Sequence, residues 1–223
     1  MIKKIKDILT NDSKKSEVSA DTKKEQKIIM LDPAALGIGA EEPLPAEPDL
    51  RILGLFADVH EEKIAELVHG LLVLDGMNKV TKKEHRKPIE FYISTYGGNA
   101  DDMFGLYDVM RNVKETSEIH TIGLGKVMSA GVLILAAGTK GKRKIGKNCR
   151  VMIHSVMGGN QGALHNMMNE LEAIEQLQDM YCDALIANSK LTRTRLKKML
   201  ERKVNVYLTA EEAVEMGIAD III

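Results

Sequence analysis

The sequence predicts a mixed α/β (α+β) fold built from repeated strand-turn-helix units, with one long helix protruding from it. Three observations carry this reading. The strand-like run Ile89 to Ser94 leads through Tyr96-Gly97-Gly98 into apolar positions at helical spacing, Met103, Leu106, Tyr107 and Met110, and the same unit recurs over Ile119 to Ala137. An uninterrupted helical pattern then runs from about Ala163 to Asn188, with Leu164, Met168, Leu171, Ile174, Leu177 and Tyr181 on one side. With 223 residues and 44% hydrophobic content, the chain can build one sizeable core, too little for two full domains.

Residues 1–49 read as an extended or disordered tail, and 50–223 as the folded domain. Four of the five prolines, Pro33, Pro43, Pro45 and Pro48, fall in the tail, and its charge is split, with the lysines before residue 30 and only acids from 31 to 50. Ile2, Ile5, Ile8 and Leu9 have the spacing of a short amphipathic helix; a solvated leader is the plainer alternative.

Arg51 to Phe56 reads as the first strand, and Asp58-Val-His-Glu61 has the spacing of a helix capping box. The helix it opens carries Ile64, Leu67, Val68, Leu71 and Leu72 and is expected to end at Asp75-Gly76. Met77 to Lys87 is expected to be a loop, and Pro88 marks the return into a strand. The apolar run Ile119 to Leu124 is expected to break at Gly125, before Ser129 to Ala137, a helix apolar almost all round and therefore buried. Arg150 to Ile153 is a further strand, and Gly158 to Gly162 a turn cluster. A basic helix over Leu191 to Arg202, a strand from Val204 to Leu208, a helix from Ala210 to Met216 and a last strand Asp220 to Ile223 complete the chain. The apolar stripe of the long helix exceeds what its own domain can cover, which predicts an oligomer.

A formal net charge of −1, from 31 basic and 32 acidic residues, gives no global field to recruit nucleic acid or an anionic membrane. Cys149 and Cys182 are too few for a disulfide framework and too far apart for a metal pair, which suits a reduced, cytoplasmic setting. No apolar run approaches the ~20 residues of a membrane span. The basic start, Met1-Ile-Lys-Lys, is interrupted before any signal core forms. No His/Cys cluster has metal-ligand spacing and no Gly motif has the form of a nucleotide loop, so no metal and no cofactor is expected. Gly97-Gly98 reads better as backbone pressed against a bound chain.

Ser129 falls at the start of the buried helix, where free N–H groups and the positive end of the helix dipole can stabilise an oxyanion. A serine needs a base, most often His. Of the six histidines, His60, His69, His85, His120 and His165 fall in polar loops, linkers or on helix surfaces, whereas His154 closes a strand beside a Gly-rich turn. Residue pattern alone leaves open an ordinary helix-start serine and a core histidine.

Several segments together resemble the proteolytic subunit of the Clp protease, a serine peptidase on a crotonase-like fold. The resemblance runs from about Arg51 to Ile223, through Phe91-Tyr-Ile-Ser-Thr-Tyr-Gly-Gly98, Leu106-Tyr-Asp108, Gly125 to Gly138, Gly141-Lys-Arg143, Asn148 to His154, Gly158-Gly-Asn-Gln-Gly162 and Leu208-Thr-Ala-Glu-Glu-Ala213, in family order. It implies that Ser129 is the nucleophile, His154 the base, and the N–H groups of Gly98 and Ala130 the oxyanion hole. It further implies heptameric rings stacked as a tetradecamer through the long helix, an AAA+ unfoldase as ATP-driven partner, and unfolded polypeptide as substrate.

The departures are local. The segment Val204-Asn205-Val-Tyr-Leu-Thr-Ala210 puts Asn205 where the family has the Asp that orients the histidine. The family's Ser-Pro-Gly-Gly is Thr95-Tyr-Gly-Gly98 here, and the proline after the catalytic histidine is absent, since Ser155-Val156 follows. Glu90 and Asn112 stand at positions of the aromatic docking cleft, although Tyr92 is kept. The expectation is a serine endopeptidase. A weakly active or inactive regulatory or scaffold subunit of such a ring, and a crotonase-like enzyme acting on acyl-CoA thioesters, are the alternatives.

Overall fold

The computed structural model describes residues 49–223 except 160 and 202–204. The expected tail, with its amphipathic helix at Ile2 to Leu9, lies outside the described residues apart from Asp49. The elements run β1 (Ile52–Leu55), α1 (Glu61–Lys79), β2 (Ile89–Thr95), α2 (Ala100–Val113), β3 (Ile119–Met128), α3 (Ala130–Ala136), β4 (Lys144–Ile145), β5 (Arg150–Ile153), α4 (Leu164–Asn188), α5 (Arg193–Leu200), β6 (Val206–Leu208), α6 (Ala210–Glu215) and β7 (Ile221–Ile222). This is the mixed α/β architecture expected, with a parallel-rich sheet and a long protruding helix.

Strands β1, β2, β3, β4 and β7 lie side by side in that order, all parallel. The strand β2 alternates strictly, with Ile89, Phe91, Ile93 and Thr95 buried, as a strand with one face on the core must. Helices α1 and α2 supply buried residues on helical spacing, among them Leu67 and Leu71, Leu106 and Met110. Every residue of α3 is buried, which accounts for its apolar character all round.

Three expected boundaries are corrected. The run from Ile119 does not break at Gly125; it continues to Met128. Gly125 takes φ 65°, and the register with β2 jumps from Ile93↔Gly123 to Thr95↔Val127, so β3 carries a bulge there. The bulge lets β3 change partner: Ile122 and Gly123 pair with β4, Lys126 to Met128 with β5. Nor does α1 end at Asp75-Gly76. Asp75 is buried, accepts a hydrogen bond from Ser117 Oγ at 2.7 Å and meets Lys79 Nζ at 2.7 Å, so the helix is carried through Gly76 to Lys79. Its beginning differs too. His60, not Asp58, is the N-cap and makes no side-chain capping bond. Val59 is held extended beside Gly98, donating to Gly97 O at 2.7 Å and accepting from Asn99 N at 2.9 Å. Two short elements were not foreseen, β4 and a 3-10 turn at Lys83–His85.

Arg143 is 4% exposed and joins three elements. It donates to Ala136 O at 3.1 Å, to Asn188 O at 2.5 Å, and through Nε and Nη2 to Asp220 at 2.8 and 2.6 Å. The ends of α3 and α4 and the start of β7 are thereby clasped together. Beyond this clasp α4 stands clear: Leu164, Met167, Met168 and Leu171 are exposed, and its buried residues begin only at Tyr181.

Candidate active site

Three parallel strands, β3 pairing with β2 along its first part and up to Val127 and with β5 at its end, deliver the site from their carboxyl ends, where open α/β sheets collect their chemistry. From β2 come Gly97 and Gly98, from β3 comes Ser129, and from β5 comes His154. The strand bulge at Gly125 and the pairing of Met128 with Met152 set the last two side by side.

His154 Nε2 lies 2.9 Å from Ser129 Oγ, a hydrogen bond. Ser129 has φ 54° and ψ −122°, and among the described residues it is the one non-glycine with positive φ. Such a conformation costs roughly 1–3 kcal/mol and presents the hydroxyl at the tip of a sharp strand-to-helix turn. The surroundings over-determine it. Ser129 N donates to Met152 O at 2.8 Å, and the buried hydroxyl of Tyr181 donates to Ser129 O at 3.3 Å. Burial, with Cys182 adding, pushes the Tyr181 phenol well above its ordinary range, so this donor keeps its proton.

Gly97 and Gly98 prove to be pressed against their own chain. A Cβ on Gly97 would stand 2.6 Å from Ser129 Cβ, and one on Gly98 2.2 Å from Val59 O. Only glycine allows the backbone this close to the serine. Gly97 N is fixed by Thr95 Oγ1 at 3.0 Å, whereas the N–H groups of Gly98 and Ala130 donate to no described residue. Those two residues line one cleft with Ser129 and His154, about 410 Å³ in volume. The arrangement can transfer the serine proton to the imidazole and receive an oxyanion on unpaired N–H groups.

Asn205 directly precedes β6, as His154 directly follows β5. The antiparallel register Val151↔Leu208, Met152↔Tyr207, Ile153↔Val206 pairs His154 with Asn205 when carried one step further. Its side chain is exposed and makes no hydrogen bond to His154. Of the other histidines, His60 pairs with Glu62 and His120 with Glu118, both ion-pair geometries away from the cleft, and His69, His85 and His165 are exposed. Among the described residues no cluster of His, Cys, Asp or Glu could hold a metal ion, and no helix is long and apolar enough to cross a membrane. Cys149 is held by burial at a thiol pKa of about 11, far from a nucleophilic thiolate.

Residues 48–223 match the family model for Clp protease. The chain belongs to the Clp protease family. It is 32% identical over 173 residues to an ATP-dependent Clp protease proteolytic subunit 1 of Prochlorococcus marinus (strain MIT 9312), covering 78% of this chain and 84% of that protein. To a proteolytic subunit 3 of Synechococcus sp. (strain CC9902) it is 34% identical over 174 residues, 78% and 82% of the two chains. To a proteolytic subunit 2 of Corynebacterium jeikeium (strain K411) it is 31% identical over 185 residues, 82% and 84%. Family membership makes a protease role the frame for the geometry above.

Sequence reading did not single out Tyr181 or Gln178 as parts of this region. Tyr181 was visible only as one apolar position of the long helical stripe. Gln178, one helical turn before Cys182, gave no signal at all; its role depends on which loop α4 packs against.

Proposed function

We propose that this chain is a serine endopeptidase subunit of a self-compartmentalising barrel, hydrolysing unfolded polypeptide through an acyl-enzyme on Ser129. The observation that carries this reading is the 2.9 Å contact between Ser129 Oγ and His154 Nε2 on a serine held at positive φ. His154 Nε2 takes the hydroxyl proton as Oγ attacks the peptide carbonyl, and the oxyanion is received by the N–H groups of Gly98 and Ala130. The imidazolium then passes its proton to the leaving amine, and a water repeats the sequence to release the acyl group. The chemistry asks for no metal or cofactor.

Asn205 is proposed to orient His154 from across the β5–β6 ladder. The relatives are named as proteolytic subunits of an ATP-dependent protease, which supports an assembly served by a separate ATP-driven partner, an AAA+ unfoldase in this proposal. The exposed apolar face of α4 is the surface proposed to join two rings. The cytoplasm is the compartment that fits such an assembly.

A second reading, a weakly active or inactive regulatory or scaffold subunit, is favoured by the exposed Asn205, which makes no bond to His154. Tyr92, expected in a partner cleft, donates its hydroxyl to Glu90 at 3.2 Å, which places a carboxylate on that surface. Labelling of the assembled protein with a fluorophosphonate, beside Ser129→Ala, decides between the readings. Covalent modification of Ser129 supports the peptidase, and its absence in a correctly assembled protein supports the scaffold.

A further inference from the structure

The loop that follows His154 is tied to α4 by one side chain. Val156 N donates to Gln178 Oε1 at 2.6 Å. An N–H can be accepted only by the amide oxygen, so this bond decides which way the Gln178 amide faces. Its Nε2 is thereby turned toward Cys182 Sγ, 3.6 Å away. Burial raises the Cys182 thiol above its ordinary value, so the sulfur there is neutral and available as a weak acceptor. Further along, Gly158 lies so close to α4 that a Cβ would meet Ile174 Cδ1 at 2.5 Å.

We infer that Gln178 is a positioning residue for His154, acting through the backbone of Ser155 and Val156; the inference rests on the proposed serine-peptidase reading. The argument is one of compensation. Histidine in a Ser-His pair is ordinarily steered from its second ring nitrogen, and here no described residue bonds that nitrogen. With the Asn205 side chain exposed and unbonded to His154, orientation in this structure comes from the chain that carries the ring, whatever Asn205 adds when it turns inward. On the near side His154 is anchored by the β5–β6 ladder, and on the far side Val156 N is pinned by Gln178. Gln178 does not line the catalytic cleft; it faces a separate cavity behind the loop, about 750 Å³, so it can affect His154 without touching substrate. Leaving Val156 N–H without its acceptor would release the loop and let the imidazole leave Ser129.

The test uses the assembled full-length protein, with Gln178→Met removing the acceptor at nearly constant volume and Gln178→Glu restoring one. Gln178→Met is expected to slow fluorophosphonate labelling of Ser129 and lower kcat by about tenfold, with KM unchanged and Val156 amide exchange accelerated. Gln178→Glu is expected to hold both rates within about threefold of the parent. A Gln178→Met protein that labels as fast as the parent, or a Gln178→Glu protein as slow as Gln178→Met, overturns the inference. Should Gln178→Met not fold, Gln178→Asn, whose amide stops one methylene short, is read by the same criteria. If the parent itself does not label, the serine-nucleophile reading fails, and the positioning role is then decided by the His154 ring Cε1–H resonance. A resonance displaced in Gln178→Met and recovered in Gln178→Glu supports it, and one identical in all three refutes it.

Discussion

Asn205 stands opposite His154 in the continued β5–β6 register, yet its side chain is exposed and leaves the imidazole unbonded. A carboxylate at that position would neutralise the imidazolium that forms as serine attacks; an amide can only accept its N–H. In a Ser-His-Asp protease the Asp→Asn exchange costs about 10⁴-fold in turnover. Asn205→Asp is therefore expected to raise peptide turnover by a factor below about 10⁴, because the loop tie to Gln178 already supplies part of the orientation. Turnover and assembly state are measured together. An intact assembly with unchanged or lower turnover removes Asn205 from the site and strengthens the scaffold reading.

Ser129→Ala and His154→Ala are each expected to abolish fluorophosphonate labelling and cleavage of unfolded casein while leaving assembly intact. Both side chains are only partly buried at the rim of the cleft, so neither truncation opens the core. Cleavage by Ser129→Ala at the parent rate would exclude Ser129 as the nucleophile. Cys149 and Cys182 are no substitute: burial raises both thiols, so iodoacetamide at neutral pH should leave the native activity untouched.

The repeated units were legible because their signals are local. Alternation over Ile89 to Ser94 and helical spacing at Met103, Leu106, Tyr107 and Met110 need no tertiary partner to be read. Ser129 and His154 stood out for the same reason, one at the mouth of an all-apolar helix, the other closing a strand before a Gly-rich turn. What escaped depends on distant partners. Asp75-Gly76 looks like a helix stop until Ser117, 42 residues on, is seen to hold the Asp75 carboxylate inside the fold. Gly125 looks like a strand end until β3 is seen to exchange β4 for β5 around it. Tyr181 and Gln178 act on Ser129 and Val156 from a different element, and no spacing rule links them.

The exposed stripe of α4 predicts assembly. Leu164, Met168 and Leu171 are 68%, 60% and 58% exposed, values a solitary surface helix seldom shows on neighbouring turns. A covering partner would bury each of them for about 2 kcal/mol. The parent is expected to sediment as an oligomer at micromolar concentration, and Met168→Lys with Leu171→Lys to shift it to smaller species without loss of helical circular dichroism. A monomeric parent, or a double variant that sediments unchanged, would remove α4 as the assembly element.

The clasp of Arg143 and Asp220 makes a contribution to stability that depends on acid. Burial by itself raises the Asp220 carboxyl, but hydrogen bonds from the Arg143 side chain and backbone, its positive charge and the Gly141 N–H outweigh this and hold it below the usual carboxylate range. A carboxyl depressed in the folded state contributes stability above its unfolded value, and that contribution is lost as pH falls through the folded value. The pair is therefore fully effective at neutrality and weakens only in acid, below the ordinary Asp value of about 3.9. Asp220→Asn removes the charge while keeping the shape, leaving a buried guanidinium uncompensated, at a cost of about 3 kcal/mol near neutral pH. Urea unfolding of the parent and of Asp220→Asn from pH 7 down to pH 3 checks the sign. The gap between them is expected to begin narrowing near the ordinary Asp value, where the carboxyl takes up its proton in the unfolded chain, and to go on narrowing toward the folded value, below which both proteins carry an uncharged group against Arg143. A gap that stays constant across that range would mean that the charge of Asp220 contributes nothing, and that Arg143 is held by the carbonyls of Ala136 and Asn188 alone.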